Sequence, residues 1–100
     1  MVRKDAVLTA TAQVVNEFGY YHRGPNALVN RKGESCISGE VLKKFGVQLP
    51  DSDARLGPIT YLIQCGLSGE FDKGAQDLLE RLAVLNDADR PWGRAFELVS

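Results

Sequence analysis

The chain has 100 residues and a formal net charge of −1, which fits one domain with one core spanning residues 1–100. With 44% hydrophobic and 25% charged residues it has the composition of a water-soluble globular protein, and no apolar run approaches the roughly 18 residues that span a bilayer. Two cysteines, 29 positions apart, and a single histidine count against a disulfide framework and against a structural zinc site, which takes four such ligands.

The first residues, MVRKDAV, lead into an amphipathic pattern rather than the continuous apolar stretch of a signal peptide. A cytoplasmic location with reduced thiols is the expectation. From residue 4, Val7, Thr11, Val14, Val15 and Phe18 recur at helical spacing, and Asp5 suits the positive start of a helix. Gly19 follows the last periodic residue as a helix stop. The next stretch, "YYHRGPNALVNRKGESCI", changes character. Gly24-Pro25 interrupts it, and Asn30 through Gly33 fit a type I turn between "ALVN" and "ESCI". A short β-hairpin near residues 27–37 is predicted, packed on helices because a lone hairpin is unstable in water.

"SGEVLKKF" reads as a second helix, with Ser38 as cap, Glu40 in the first turn and Gly46 as its end. After a polar connector, Pro58 opens a third short helix through Ile59, Leu62 and Ile63. The strongest pattern covers about 72–85, where Phe71, Ala75, Leu78, Leu79, Leu82 and Leu85 form one stripe. A last helix carries Trp92, Ala95, Phe96 and Val99 on one face, with Asp89 as predicted N-cap and Pro91 in the first turn. The architecture expected is mainly α (α+β), four or five short helices around one core with the single hairpin. Phe18, Phe45, Leu79, Leu82 and Phe96 are the predicted core residues.

Three clusters could carry chemistry. Cys36, just ahead of the second helix, sits where a helix dipole favours a thiolate. His22 and Asn86 or Asp87 supply the residue types that would complete a thiol site. A small apolar Cys36 filling the core is the competing and favoured reading, as it is for Cys65 beside Ile63. "YYHRG" concentrates Tyr20, Tyr21, His22 and Arg23, with Arg31 and Lys32 on the neighbouring turn. Such a patch can stack on a ring or hold a phosphate, but the negative overall charge disfavours nucleic acid as partner. "NDAD" over 86–89 contains Asp87 and Asp89, too few ligands for a calcium loop. Its polar side chains suit a turn and a helix cap. No phosphate-binding loop, dinucleotide fingerprint or nucleophile elbow is present, and no cofactor is expected. Charge is divided unevenly. Residues 1–50 carry seven Lys or Arg against four acids, and residues 51–100 carry five against nine.

A helix ending in "EFGYYHRG", a turn leading into "SCISGEVL" and a late "LNDADRPWGRAFELV" together resemble a domain of unknown function found in small actinobacterial and actinophage proteins. That family tends to have a Gly-aromatic pair after its first helix, Cys-x-x-Gly before its second, and Trp-Asn-Asp before its last. Gly19-Tyr20, Cys36 with Gly39, and Asn86-Asp87 stand in those places, over roughly residues 6–99. Leu85 stands where the family tends to have Trp, and Pro91-Trp92 where it tends to have a Thr-containing helix start. The resemblance implies a fold and an origin but no activity. It also draws Cys36, Asn86 and Asp87 together as a hydrogen-bonded structural knot, with Asn86 or Asp87 satisfying backbone groups at the start of the second helix.

The function expected is that of a non-enzymatic accessory protein acting through an unidentified protein partner, with no membrane role. Tyr20, Tyr21 and Trp92 are the aromatics expected on its exposed patch, with His22, Arg23, Arg31 and Lys32 beside them. Self-association through the same patch stays open. The alternatives are a small-ligand or thiol-dependent enzyme site built on His22, Cys36 and Asn86/Asp87, and a weak nucleic-acid binder using "YYHRG" and "RKG".

Overall fold

A computed structural model describes all residues, 1–100. Five α-helices follow in order: α1 Lys4–Phe18, α2 Ile37–Lys44, α3 Pro58–Gln64, α4 Lys73–Asp87 and α5 Trp92–Val99, with a 3-10 turn at Ser68–Glu70 before α4. The long α4 is the centre of the molecule and packs against each of the other four helices. Its buried stripe of Ala75, Leu78, Leu79 and Leu82 follows the helical spacing read from the sequence. Asp72 caps it by accepting the Ala75 N–H at 2.8 Å.

α1 buries Val7, Ala10, Thr11 and Val14 along one face. The Thr11 hydroxyl donates to the Val7 carbonyl one turn back at 2.6 Å, so this buried polar group is satisfied within its own helix. Gly19 stops α1 at a positive φ of 99°. α2 begins at Ile37, one residue before the expected cap. Ser38 therefore lies in its first turn and donates to the Leu79 carbonyl at 2.6 Å, tying α2 to α4.

The predicted β-hairpin over 27–37 is absent, and the molecule has no sheet. The turn itself forms. Asn30 Oδ1 accepts the N–H groups of Lys32 and Glu34 at 3.0 and 2.9 Å, and the Gly33 N–H donates to the Asn30 carbonyl. The Asn30 N–H reaches the Glu34 carbonyl and the Cys36 N–H reaches the Ala27 carbonyl. These two bonds are one residue out of register with each other, so no ladder propagates. Val29 instead makes an isolated antiparallel bridge with Ala54, and the chain after Cys36 is already helical. The other isolated bridge, parallel, joins Val2 to Phe71.

Leu79 and Leu82 are fully buried, as expected. The three phenylalanines are not: Phe18 is exposed, and Phe45 and Phe96 are half-buried. Trp92, expected on the surface, is the largest fully buried side chain. Cys65, expected in the core, is exposed at the end of α3, where Leu62 reaches the centre. Asp89 is not the N-cap of α5. It takes a left-handed conformation, φ 60°, just past α4, and Pro91 occupies the cap position. The Asp89 and Arg90 N–H groups donate to the Asn86 and Leu85 carbonyls, closing α4 in the way a Schellman turn does.

Candidate functional site

The "YYHRG" stretch is committed to the fold at the start of α5. The first turn of a helix leaves N–H groups without partners. Here the Trp92 and Gly93 N–H groups donate to the His22 and Tyr20 carbonyls, both at 2.8 Å. The Tyr20 ring lies so close to Gly93 that a Cβ there would sit 2.0 Å from it. Its hydroxyl donates to Glu97 at 2.7 Å, a bond that, with the carboxylate's charge, raises the Tyr20 pKa. The His22 ring meets Trp92 edge-on at 4.5 Å and stands 5.1 Å from Phe18. Arg23 donates to the Asp89 carbonyl at 3.0 Å and lies 3.5 Å from its carboxylate. Tyr21 sets its ring edge-on to Tyr20 at 5.0 Å and is otherwise 79% exposed.

Asn86 completes this knot from below. Its Oδ1 accepts the Ile37 N–H at 3.1 Å and the Trp92 indole N–H at 2.8 Å. Its Nδ2 donates to the Pro25 and Gly24 carbonyls at 3.0 and 3.4 Å. Both partners of the oxygen can only donate and both partners of the nitrogen can only accept, which fixes the amide's orientation. One buried side chain thus joins α2, α4, α5 and the Gly24-Pro25 turn. The expected role of Asn86 at the start of α2 is observed, and Trp92 is buried because its N–H has this partner.

Cys36 is 5% exposed and free. Burial pushes its thiol pKa up, with the nearby Asp87 carboxylate adding to the rise, against backbone N–H donors of Gly39 and Ser38 that pull it down. Cys36 and Asp87 line one small cavity, together with Arg55 and Glu80, while His22 lines another. Burial raises the thiol pKa where a nucleophile needs it lowered.

The cavity beside His22, about 260 Å3, is lined by Phe18, Arg23, Glu34, Ser35 and Glu40 among others. Here the turn comes back toward "YYHRG", but it brings Glu34 rather than a cation. Arg31 and Lys32 stay exposed at its tip. Two carboxylates standing next to Arg23 interrupt the basic surface that a phosphate backbone would need. Ser35 Oγ is buried without a hydrogen-bond partner.

The largest cavity lies elsewhere, on the face formed by α3, α4 and α5. A groove of about 620 Å3 is lined by Ile59, Asp77, Glu80, Arg81, Val84, Leu85 and Leu98. Val84 is 60% exposed, Leu98 41%, and Ile63, one turn beyond Ile59 on α3, 62%. Arg81 reaches across to the Leu98 carbonyl at 3.5 Å. Glu80 accepts the Ile59 N–H at 3.4 Å and so binds the start of α3 to α4. In the sequence Ile59 and Ile63 mark only the apolar positions of the third helix, and Val84 and Leu98 carry no assignment. The available signal was Val84 itself, an apolar residue outside the buried stripe of α4.

No helix is long and apolar enough to cross a membrane. The chain matches no family model, no curated protein and no solved structure.

Proposed function

We propose that this chain is a non-enzymatic interaction protein and that the α3–α4–α5 groove is where it binds another protein. The carrying observation is the grouping of Val84 and Leu98, 60% and 41% exposed, with the half-buried Ile59 and Leu85 around one groove. Scattered apolar residues are ordinary on a protein surface, whereas a contiguous apolar concavity with a charged margin is the form of a docking site. The fitting occupant is an apolar helical face. The accessory role in an actinobacterium or its phage, drawn from the resemblance of "EFGYYHRG", "SCISGEVL" and "LNDADRPW", belongs to the same reading.

The docking surface differs from the one expected. Trp92 is unavailable, Tyr20 is held against Gly93 and Glu97, and only Tyr21 of the three aromatics is free. A photo-crosslinking residue placed at Ile63 is expected to trap a discrete protein adduct in cells, and the same residue at Gln13, on α1, is not. Equal labelling at both positions, or none at Ile63, overturns the proposal.

A further inference from the structure

Resting on that reading, we infer that the groove takes a basic amphipathic helix from a partner protein. The groove is built wholly from the acidic half of the chain, residues 51–100, where nine acids stand against five bases. Its lining holds two carboxylates, Asp77 and Glu80, and one guanidinium, Arg81. That guanidinium is turned toward the carbonyl of Leu98 across the groove. Asp77 is paired only with Lys73, a side chain 90% exposed and held at 3.6 Å, which an incoming cation displaces at little cost. The α3 wall carries no charge at all. The result is an apolar floor of Ile59, Val84 and Leu98 with a net negative edge. A helix with apolar residues at i, i+3, i+4 and i+7 fills such a floor, and Lys or Arg beside them face the edge. The area is small, so the complex belongs to the weak, salt-sensitive class.

The test uses the full chain, with the side-chain methyls of Ile59, Ile63, Val84 and Leu98 followed by NMR. Two 14-residue helical peptides of identical leucine pattern are added, one with lysine and one with glutamate at every polar position. The lysine peptide is expected to shift these methyls and to bind at least about fivefold more tightly than the glutamate peptide, the discrimination that one exposed ion pair at the edge gives. Val84→Ser is expected to weaken it about tenfold at unchanged fold, and raising salt from 50 to 500 mM to weaken it further. If the lysine peptide binds Val84→Ser as well as wild type, attraction is diffuse and the inference fails. If the glutamate peptide binds equally or better, the groove remains a docking site and the basic partner is wrong. If neither peptide moves the methyls, the docking reading itself falls. Sedimentation of the protein alone completes the test: a concentration-dependent dimer abolished by Val84→Ser makes a second copy the occupant and overturns the basic partner.

Discussion

The two faces of α4 use opposite chemistry near its C-terminal end. On the inner face Asn86 is buried and makes four hydrogen bonds, to Ile37, Trp92, Pro25 and Gly24. On the outer face, two residues earlier, Val84 stands 60% exposed in an apolar groove. A buried amide with all four positions filled specifies one arrangement of its neighbours, because each alternative leaves a polar group unpaired in a dry interior. An exposed aliphatic face specifies nothing about its own fold and lowers its free energy only when something covers it. The knot is where the molecule holds itself together, and the groove is where apolar surface is left uncovered.

The largest expected effect tests the knot. Asn86→Ala strands two buried donors, the Ile37 N–H and the Trp92 indole, and two carbonyls. Counting the two fully buried donors at about 1–3 kcal/mol each, a loss of about 2–6 kcal/mol is expected, a large share of a small domain's total. Urea unfolding followed by the fluorescence of the single tryptophan measures it. A loss below about 1 kcal/mol would mean that Asn86 is not what holds α2 to α5.

Gly93→Ala comes next. The added Cβ would meet Tyr20 Cδ2 at 2.0 Å and Cγ at 2.3 Å, atoms close to the backbone, so the whole ring has to leave. A cost of about 1–3 kcal/mol is expected, in the range of overpacked sites. Combining it with Tyr20→Ala should be much less than additive, because the clash is then gone. Full additivity would show that Tyr20 does not lie on Gly93.

The same contrast explains what could be read from the sequence. The stripe of α4 and the Gly19 stop are a local periodicity and a local cap, each written within a few positions of the chain. The resemblance offered Asn86 or Asp87 for the start of α2 without deciding between them, and it is Asn86 that accepts the Ile37 N–H. The hairpin failed for a non-local reason. The turn residues Asn30 and Gly33 were right, but the pairing of Val29 was taken by Ala54 and the other arm by α2. Trp92 and Tyr20 were misplaced because only tertiary structure supplies an acceptor for the indole and a glycine under the ring. Leu98 and Ile63 were illegible because helical spacing says which residues share a face, not whether another element covers it.

Ser35 offers a change in the opposite direction. Its hydroxyl is buried and unpaired, so Ser35→Ala removes a desolvated polar group without opening a large void. A gain of about 1 kcal/mol is expected by thermal unfolding. A loss would mean that the hydroxyl makes a bond in solution.

Cys36 gives a pH signature. Its thiol pKa is raised by burial in the folded chain. The unfolded thiol ionises first, near its ordinary value of about 8.5, and draws the equilibrium toward the unfolded state. This contribution to stability is therefore complete below that value and lost as pH rises toward the folded pKa. Tyr20, whose pKa is also raised, and Tyr61, pushed up to about 12, act in the same direction only above their ordinary value of about 10. Between pH 8.5 and 10 the decline should be present in wild type and absent in Cys36→Ala. An equal decline in both would show that the thiol is not the titrating group.

The smallest effect on stability should come from the exposed aliphatic surface beside the groove, at Ile63 one turn beyond Ile59, and that is why it is informative. Ile63→Ser removes an aliphatic side chain already 62% exposed, so folding hardly depends on it. A stability change within about 0.5 kcal/mol is expected. A natural core position of the same type would cost about 2–5 kcal/mol on truncation, so the measurement separates a docking residue from a structural one. If Ile63→Ser destabilises by as much as a core residue, α3 closes over this surface in solution and no groove is left for a partner. If stability is unchanged while the adduct trapped at this face is lost, Ile63 serves association and not folding. The division of labour between the two faces of α4 then follows from two numbers, a large one at Asn86 and a negligible one at Ile63.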